Sequence, residues 1–319
     1  MPVPEGDAAY DAAWAPPAYA HQAPARTLGT ASRLIIGVFA AALLFVAAVA
    51  MTRDSRTIAG NAMEAPGATA AVAKTRASSD GSSPKKVQKV HELGTNPLLG
   101  AGIRLTDVTC PLPALGRSDD ELRAFYEAQI SCLDDAWRPA LRRVGEPTIK
   151  VLLQVKVPQT SRCGQAPDSQ KALAYYCAGD STIYAPSDWM LRAVSLNKGS
   201  HLATIAHEYG HHVQNESGIL EAASSKMTSD DESSPDDLER VRRVELQANC
   251  FGALFVAAAA GRGDISASTA NAAIADYGNT SDSDTHGSRK HQLSWAMAGF
   301  ETKTTAACDT WSVPTSEVT

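Results

Sequence analysis

The sequence predicts an α+β domain, built from a small antiparallel sheet and long helices, which follows one N-terminal transmembrane helix. Two segments carry apolar residues at helical spacing between capping residues, and they predict helices at about 200–218 and 235–261. Stretches rich in β-branched residues predict short strands. An uncharged apolar run at 34–51 predicts the membrane span.

The N-terminal part of the chain lacks the pattern of a packed core. Residues 1–33 are rich in proline and alanine, which predicts a disordered tail. The run 34–51 would extend over about 27 Å as a helix, the short end of a bilayer span. A secretory signal is the alternative, although the segment before the run is long for one. Residues 52–98 are rich in alanine and serine and predict a flexible linker.

Residues 99–319 predict one folded domain. The segment 118–121 has the pattern of a capping box and predicts the start of a helix, which Pro139 is expected to kink or end. The β-branched residues of 148–157 predict a strand. A shorter strand is predicted at 182–184, and the proline two residues after it favours a position at the sheet edge.

The segment 207–211, with the sequence HEYGH, is the strongest indication of chemistry. Residues four apart lie on one face of a helix, so the imidazoles of His207 and His211 project together. Two imidazole nitrogens so placed can hold one Zn²⁺, and Glu208 is placed to act as general base towards a water at the metal. A solvated cluster on an amphipathic helix is the alternative. His212, about 140° around the helix from His207, is expected not to take part.

Glu245 is the predicted third protein ligand. Ser234–Pro235 predicts the N-cap and first residue of a second long helix, and Glu245 lies in its middle. If that helix packs antiparallel to the first, a cation beside His211 would offset the cost of burying the Glu245 charge. An ion pair with Arg242 is the alternative. Gly210 disfavours the first helix locally, which predicts a neighbour packed very close to it.

Several blocks of the chain resemble the bacterial neutral zinc metallopeptidases, a gluzincin-like family with HExxH on one helix and a glutamate on the next. The blocks are, in order, 177–184, 207–214, 243–250, 263–278, 286–300 and 308–309. The resemblance implies a zincin-like metallopeptidase domain that binds Zn²⁺ and hydrolyses peptide bonds. It also implies that an edge strand, here 182–184, holds the substrate in extended form.

The resemblance implies roles for single residues as well. Zn²⁺ would be held by the two histidines of HEYGH and by Glu245, with Glu208 as general base. The developing oxyanion needs a further donor, for which His286 is the first candidate and Tyr277 the second. A loop histidine without a catalytic role is the alternative for His286.

Two positions depart from the family pattern. Members carry an aspartate four residues after the ligand glutamate, where this chain has Asn249. An aspartate there would orient a ligand histidine and raise its basicity, so Asn249 predicts similar geometry with weaker electrostatic support. Residues 289–292 also replace the Gln-Arg pair that follows the His-Gly-Ser block. Asn249 motivates an alternative function, a catalytically silent module that binds a peptide or protein.

All six cysteines follow the predicted span. An even number on one side suits disulfides in an oxidising compartment, whereas the arginines flanking the span do not decide its orientation. Six cysteines allow many connectivities. Cys163 with Cys177, which would close a short polar loop, is the first expected pair. Cys110 with Cys132 and Cys250 with Cys308 are then the expected arrangement of the other four.

Composition and topology together predict the setting of the protein. The formal net charge of −6 argues against a nucleic-acid partner. The expected partners are a peptide or protein substrate and the cell membrane, through a single pass at 34–51. The sequence therefore predicts a membrane-anchored, extracytoplasmic zinc-dependent endopeptidase.

Overall fold

The computed structural model describes residues 62–63, 93–228 and 234–319. The predicted tail, the predicted transmembrane helix and most of the predicted linker lie outside the described residues. Within the described residues, none of the helices combines the length and the apolar composition that a membrane crossing requires.

Helices dominate the described part of the chain. The α-helices are α1 (Asp119–Arg143), α2 (Ser187–Val194), α3 (Lys198–Glu216), α4 (Ile219–Ser224), α5 (Pro235–Ala259), α6 (Ala267–Asp276) and α7 (Arg289–Thr302). Short 3₁₀ helices are Leu93–Thr95, Pro97–Leu99, Thr305–Cys308 and Thr315–Glu317. The two helices predicted around the HEYGH segment and Glu245 are α3 and α5.

The helix boundaries follow the capping residues. Ser118 and Glu121 form the predicted capping box at the start of α1. Ser234 accepts a hydrogen bond from the Asp237 backbone at the start of α5, with proline at the first helical position as predicted. Pro139 does not end α1, which continues to Arg143. Ala140 and Leu141, which follow the proline, are buried in the core and hold this last turn in place.

Among the described residues, four short strands form one mixed sheet in the order β1-β3-β4-β2. They are β1 (Ala62–Met63), β2 (Leu152–Gln154), β3 (Tyr175–Cys177) and β4 (Thr182–Tyr184). Only β3 and β4 pair antiparallel, whereas β2 pairs parallel with β4 and β1 parallel with β3. The prediction of an antiparallel sheet is therefore wrong in part.

Two strand predictions need correction. The strand expected over 148–157 is confined to β2, because only those residues pair with β4. The prediction that 182–184 lies at a sheet edge is wrong, because β4 lies between β3 and β2. Pro186 does not interrupt the pairing, since the Ala185 N–H before it donates to the Gln154 carbonyl at 2.8 Å and the Ser187 N–H after it donates to the Val155 carbonyl at 3.0 Å.

Helices α3 and α5 pack antiparallel at the centre of the domain. A Cβ on Gly210 would lie 2.8 Å from the Ala248 carbonyl oxygen, and one on Gly252 would lie 3.0 Å from the Ala206 carbonyl carbon. Residue numbers rise along α3 as they fall along α5, so the helices run in opposite directions. Both glycines allow main chains to approach closely, which confirms the close neighbour predicted for Gly210.

Three disulfides connect distant parts of the chain, as predicted. They are Cys110–Cys132, Cys163–Cys177 and Cys250–Cys308. The second joins a loop to β3, and the third joins α5 to the C-terminal 3₁₀ helix that contains Cys308. The third therefore restrains α5 close to Glu245.

Candidate metal centre

Two histidines of α3 meet one glutamate of α5. His207 and His211 lie one turn apart on α3, and their Nε2 atoms are 3.1 Å from each other. Glu245 Oε2 lies 3.2 Å from His207 Nε2 and 3.3 Å from His211 Nε2. All three side chains are buried. The antiparallel packing of α3 against α5 therefore brings together the three residues that the sequence selected as ligands.

A third histidine reaches the same carboxylate oxygen. His286 lies in the loop between α6 and α7, and its Nε2 is 3.3 Å from Glu245 Oε2. The hydroxyl of Thr285 lies 2.9 Å from His286 Nδ1, and the His286 N–H donates to the Ser283 hydroxyl at 2.9 Å. The loop thus turns His286 inward. The structure brings His286 into the cluster, where the sequence had suggested a catalytic histidine.

The outer nitrogens of the two α3 histidines face neutral amides. Asn249 Oδ1 lies 2.7 Å from His207 Nδ1, and Gln214 Oε1 lies 2.8 Å from His211 Nδ1. An amide oxygen only accepts, so each Nδ1 carries the proton and each Nε2 presents a lone pair. Burial lowers the pKa of His207, which favours the neutral ring that such a lone pair requires.

This donor set fits a metal ion. The two Nε2 lone pairs and Glu245 Oε2 converge without a hydrogen between them, an arrangement that is repulsive unless a cation joins them. Glu245 Oε2 has no hydrogen-bond partner among the described residues. Ligand atoms around a tetrahedral Zn²⁺ with bonds of about 2.0–2.1 Å lie about 3.3 Å apart. The observed separations of 3.1–3.3 Å match that value.

The carboxylate of Glu245 is suited to remain charged. Burial alone would raise its pKa, but the electrostatic interactions and hydrogen bonds with the surrounding imidazole rings lower the pKa well below the usual range. The alternative partner, Arg242, donates instead to the backbone carbonyl of Asp284 at 2.7 Å. The ion pair between Arg242 and Glu245 that the sequence left open is therefore wrong.

The carboxyl group of Glu208 lies in an unusual environment for an acid. Its side chain is buried, and neither carboxylate oxygen has a hydrogen-bond partner of normal geometry among the described residues. Burial, and then the negative charge of Glu245, raise its pKa well above the usual range, while the Tyr176 backbone nearby lowers it in part. A carboxyl group in this state can both accept and return a proton.

Two neighbouring side chains have structural roles. His212 is buried on another face of α3, where its ring contacts the Tyr176 hydroxyl at 3.1 Å and the Ile149 carbonyl at 3.0 Å. Burial lowers its pKa to about 4. His212 is thus separate from the cluster, as predicted. The hydroxyl of Tyr277, the second candidate for oxyanion binding, donates to the Ala203 carbonyl at 3.1 Å and so belongs to helix packing.

A large cavity of the described residues lies away from this cluster. Its volume is about 710 Å³, and it lies between α1 and the segment 148–154. Tyr209 and His212 form part of its wall, so it opens on another face of α3 from the paired imidazoles.

Sequence reasoning missed Gln214, although its position three residues after His211 places both side chains on one helix face.

Comparisons with known proteins identify the family of the chain. A family model described as "Putative neutral zinc metallopeptidase" matches residues 109–311. The uncharacterized protein Rv2575 of Mycobacterium tuberculosis is 28% identical over 230 residues, covering 61% of this chain and 74% of the relative. The uncharacterized protein YpfJ of Escherichia coli K12 is 25% identical over 216 residues, covering 62% and 74%. No solved structure has significant similarity to the chain.

Proposed function

Because the chain belongs to the family described as "Putative neutral zinc metallopeptidase", we propose that it is a membrane-anchored, extracytoplasmic zinc endopeptidase. The observation that carries the proposal is the convergence of His207 Nε2, His211 Nε2 and Glu245 Oε2 within 3.1–3.3 Å of one another. These three atoms would hold the ion. Zinc held there would activate water and polarise the scissile carbonyl.

The chain's own residues would move the proton and stabilise charge. Glu208 takes a proton from the attacking water as the new C–O bond forms, and it passes that proton to the amide nitrogen as the C–N bond breaks. The second proton of the water stays with the acid, so the products of this step are a carboxylic acid and an amine. The high pKa of Glu208 that follows from burial makes its carboxylate a stronger base, which favours the first of these transfers. His286 would donate a hydrogen bond to the oxyanion.

The proposal also includes a membrane anchor and an extracytoplasmic location for the domain. The three disulfides support an oxidising environment for the domain. The apolar run 34–51 supports a single anchor with residues 1–33 in the cytoplasm. The substrate would then be an extracytoplasmic peptide or protein.

The metal is tested by zinc analysis of the purified full-length protein. We expect about one Zn²⁺ per chain in the wild type and a strong reduction in Glu245→Ala, because the ion loses its carboxylate ligand. Glu301→Ala, which removes an exposed glutamate on α7, is the matched control and should keep full occupancy. Full occupancy in Glu245→Ala would remove Glu245 from the ligand set.

Catalysis is tested separately with Glu208→Gln. This variant should keep zinc and fold but lose most peptide hydrolysis, because the general base is removed while the ligands remain. Equal turnover by Glu208→Gln and the wild type would overturn the role of Glu208.

A second function is favoured by one specific observation. His286 Nε2 lies 3.3 Å from Glu245 Oε2 and could complete a set of four protein ligands. Catalytic zinc sites keep a position open, whereas structural sites are closed. The alternative is therefore a silent module that binds a peptide or protein. Zinc binding without turnover in the wild type, together with weakened zinc binding in His286→Ala, would establish it.

A further inference from the structure

A chain of buried amides extends outward from His211. Gln214 Oε1 contacts His211 Nδ1 at 2.8 Å, and the Gln214 amide N–H groups donate to the Val244 carbonyl at 2.8 Å and to Gln247 Oε1 at 3.1 Å. The Gln247 amide then donates to the Cys308 carbonyl at 2.9 Å. Both glutamine side chains are fully buried. None of these contacts was anticipated from the sequence.

Backbone carbonyls determine which group donates and which accepts in each hydrogen bond between these amides. The carbonyl of Cys308 can only accept, so the NH₂ group of Gln247 faces it and Oε1 faces Gln214. The carbonyl of Val244 likewise requires the NH₂ group of Gln214. Gln214 Oε1 is therefore turned towards His211, where it can only accept. The proton of His211 must then be on Nδ1, which leaves Nε2 free to bind a metal.

The Cys308 carbonyl, which accepts the last hydrogen bond of this series of amides, is itself held in place. Cys308 is joined by a disulfide to Cys250, three residues after Gln247 on α5. This carbonyl is therefore fixed to the same helix that carries Glu245. His207 differs, because Asn249 contacts its Nδ1 directly from α5.

We propose that Gln214 is a positioning residue, which holds His211 in the Nδ1–H tautomer and in its orientation, and that Gln247 holds Gln214 through the Cys308 carbonyl. Only the expected effect on zinc affinity rests on the proposed function. The tautomer of His211 is a property of the metal-free protein and can be measured without zinc. An outer partner of this kind typically changes metal affinity by about 10–100-fold when it is removed.

The first test uses the metal-free full-length protein. Nitrogen-15 NMR of labelled histidine reports which nitrogen of His211 carries the proton. We expect the Nδ1–H form in the wild type and a shift to a tautomer mixture in Gln214→Leu, which removes the acceptor. Gln214→Glu restores an acceptor oxygen at that place and should retain the Nδ1–H form.

The second test measures the zinc dissociation constant by chelator competition. Gln214→Leu should bind zinc about 10–100-fold more weakly, and Gln247→Met should show a smaller loss because it acts one step further out. Gln129→Leu is the matched control. It removes a buried amide that donates to the Leu202 carbonyl of α3 at 2.8 Å, away from His211, and it should leave zinc affinity unchanged.

The outcomes separate this proposal from the proposed function. An unchanged His211 tautomer and unchanged zinc affinity in folded Gln214→Leu would overturn the positioning role while leaving the metal site intact. A tautomer shift in a protein that binds no zinc would support the positioning role and overturn the zinc peptidase. An equal loss of affinity in Gln129→Leu would show general loosening of α3 and would also overturn the positioning role.

Discussion

At the scale of single residues, Asn249 is the hydrogen-bond partner of the outer nitrogen of His207. Its Oδ1 accepts from His207 Nδ1 at 2.7 Å, the position where the family pattern has an aspartate. The amide reproduces the hydrogen bond but contributes no negative charge. The Nδ1 atom of His211 likewise has a neutral acceptor, because its partner is the amide oxygen of Gln214. The two imidazoles are therefore oriented by neutral groups, and within the described part of the chain Glu245 is the anion that contacts both.

Asn249→Asp tests this electrostatic contribution. A carboxylate beside His207 Nδ1 should raise the basicity of the ring, so zinc affinity should increase by up to about 10–100-fold. Chelator competition measures the effect, with the exposed Asn271→Asp on α6 as a charge-matched control. Unchanged affinity in both Asn249→Asp and Asn249→Ala would mean that residue 249 does not orient His207.

At the scale of elements, the contact between α3 and α5 sets the distance between histidines and glutamate. Gly210 lies directly opposite Ala248, one residue before Asn249 on α5. The helical spacing of the sequence predicts which residues share a face on each helix. The separation of the two helices depends instead on the small residue at their crossing.

Gly210→Ala should separate the two helices. The added methyl group would lie 2.8 Å from the Ala248 carbonyl oxygen and 3.1 Å from its Cα, and main-chain atoms cannot rotate away. Overpacking should lower the free energy of unfolding by about 1–3 kcal/mol, more than the gain of about 1 kcal/mol in helix propensity. Chemical denaturation measures this difference.

Gly94→Ala is the matched control for that variant. Its methyl group would meet the Ser312 hydroxyl at 2.9 Å, a group that can turn aside. The stability of Gly94→Ala should therefore stay close to that of the wild type. If Gly210→Ala were as stable as Gly94→Ala, the close approach of α3 to α5 would not limit the packing.

At the scale of the whole molecule, the proposed topology places the domain outside the cell. A protease added to intact cells should then remove the C-terminal domain, whereas a tag at the N-terminus should stay protected until the cells are permeabilised. The physical reason is that the run 34–51 would be the barrier between the two sides. Cleavage of the N-terminal tag with full protection of the domain would contradict the proposed orientation.

The sequence by itself determined the features that depend on local spacing. The face shared by His207 and His211, the start of α5 at Pro235 and the position of Glu245 in the middle of α5 all follow from helical periodicity and capping. The even number of cysteines on one side of the predicted span likewise indicated the disulfides. These inferences succeed because each rests on neighbours along the chain, and the structure brings the chosen side chains together.

Only the tertiary structure decided what depends on distant contacts. It put β4 inside the sheet, kept α1 helical past Pro139, and aimed His286 at Glu245. It also turned Gln214 towards His211, since that orientation is imposed by a carbonyl of Cys308 on a remote segment. Such choices depend on packing and hydrogen-bond partners far apart in sequence, which local periodicity does not encode.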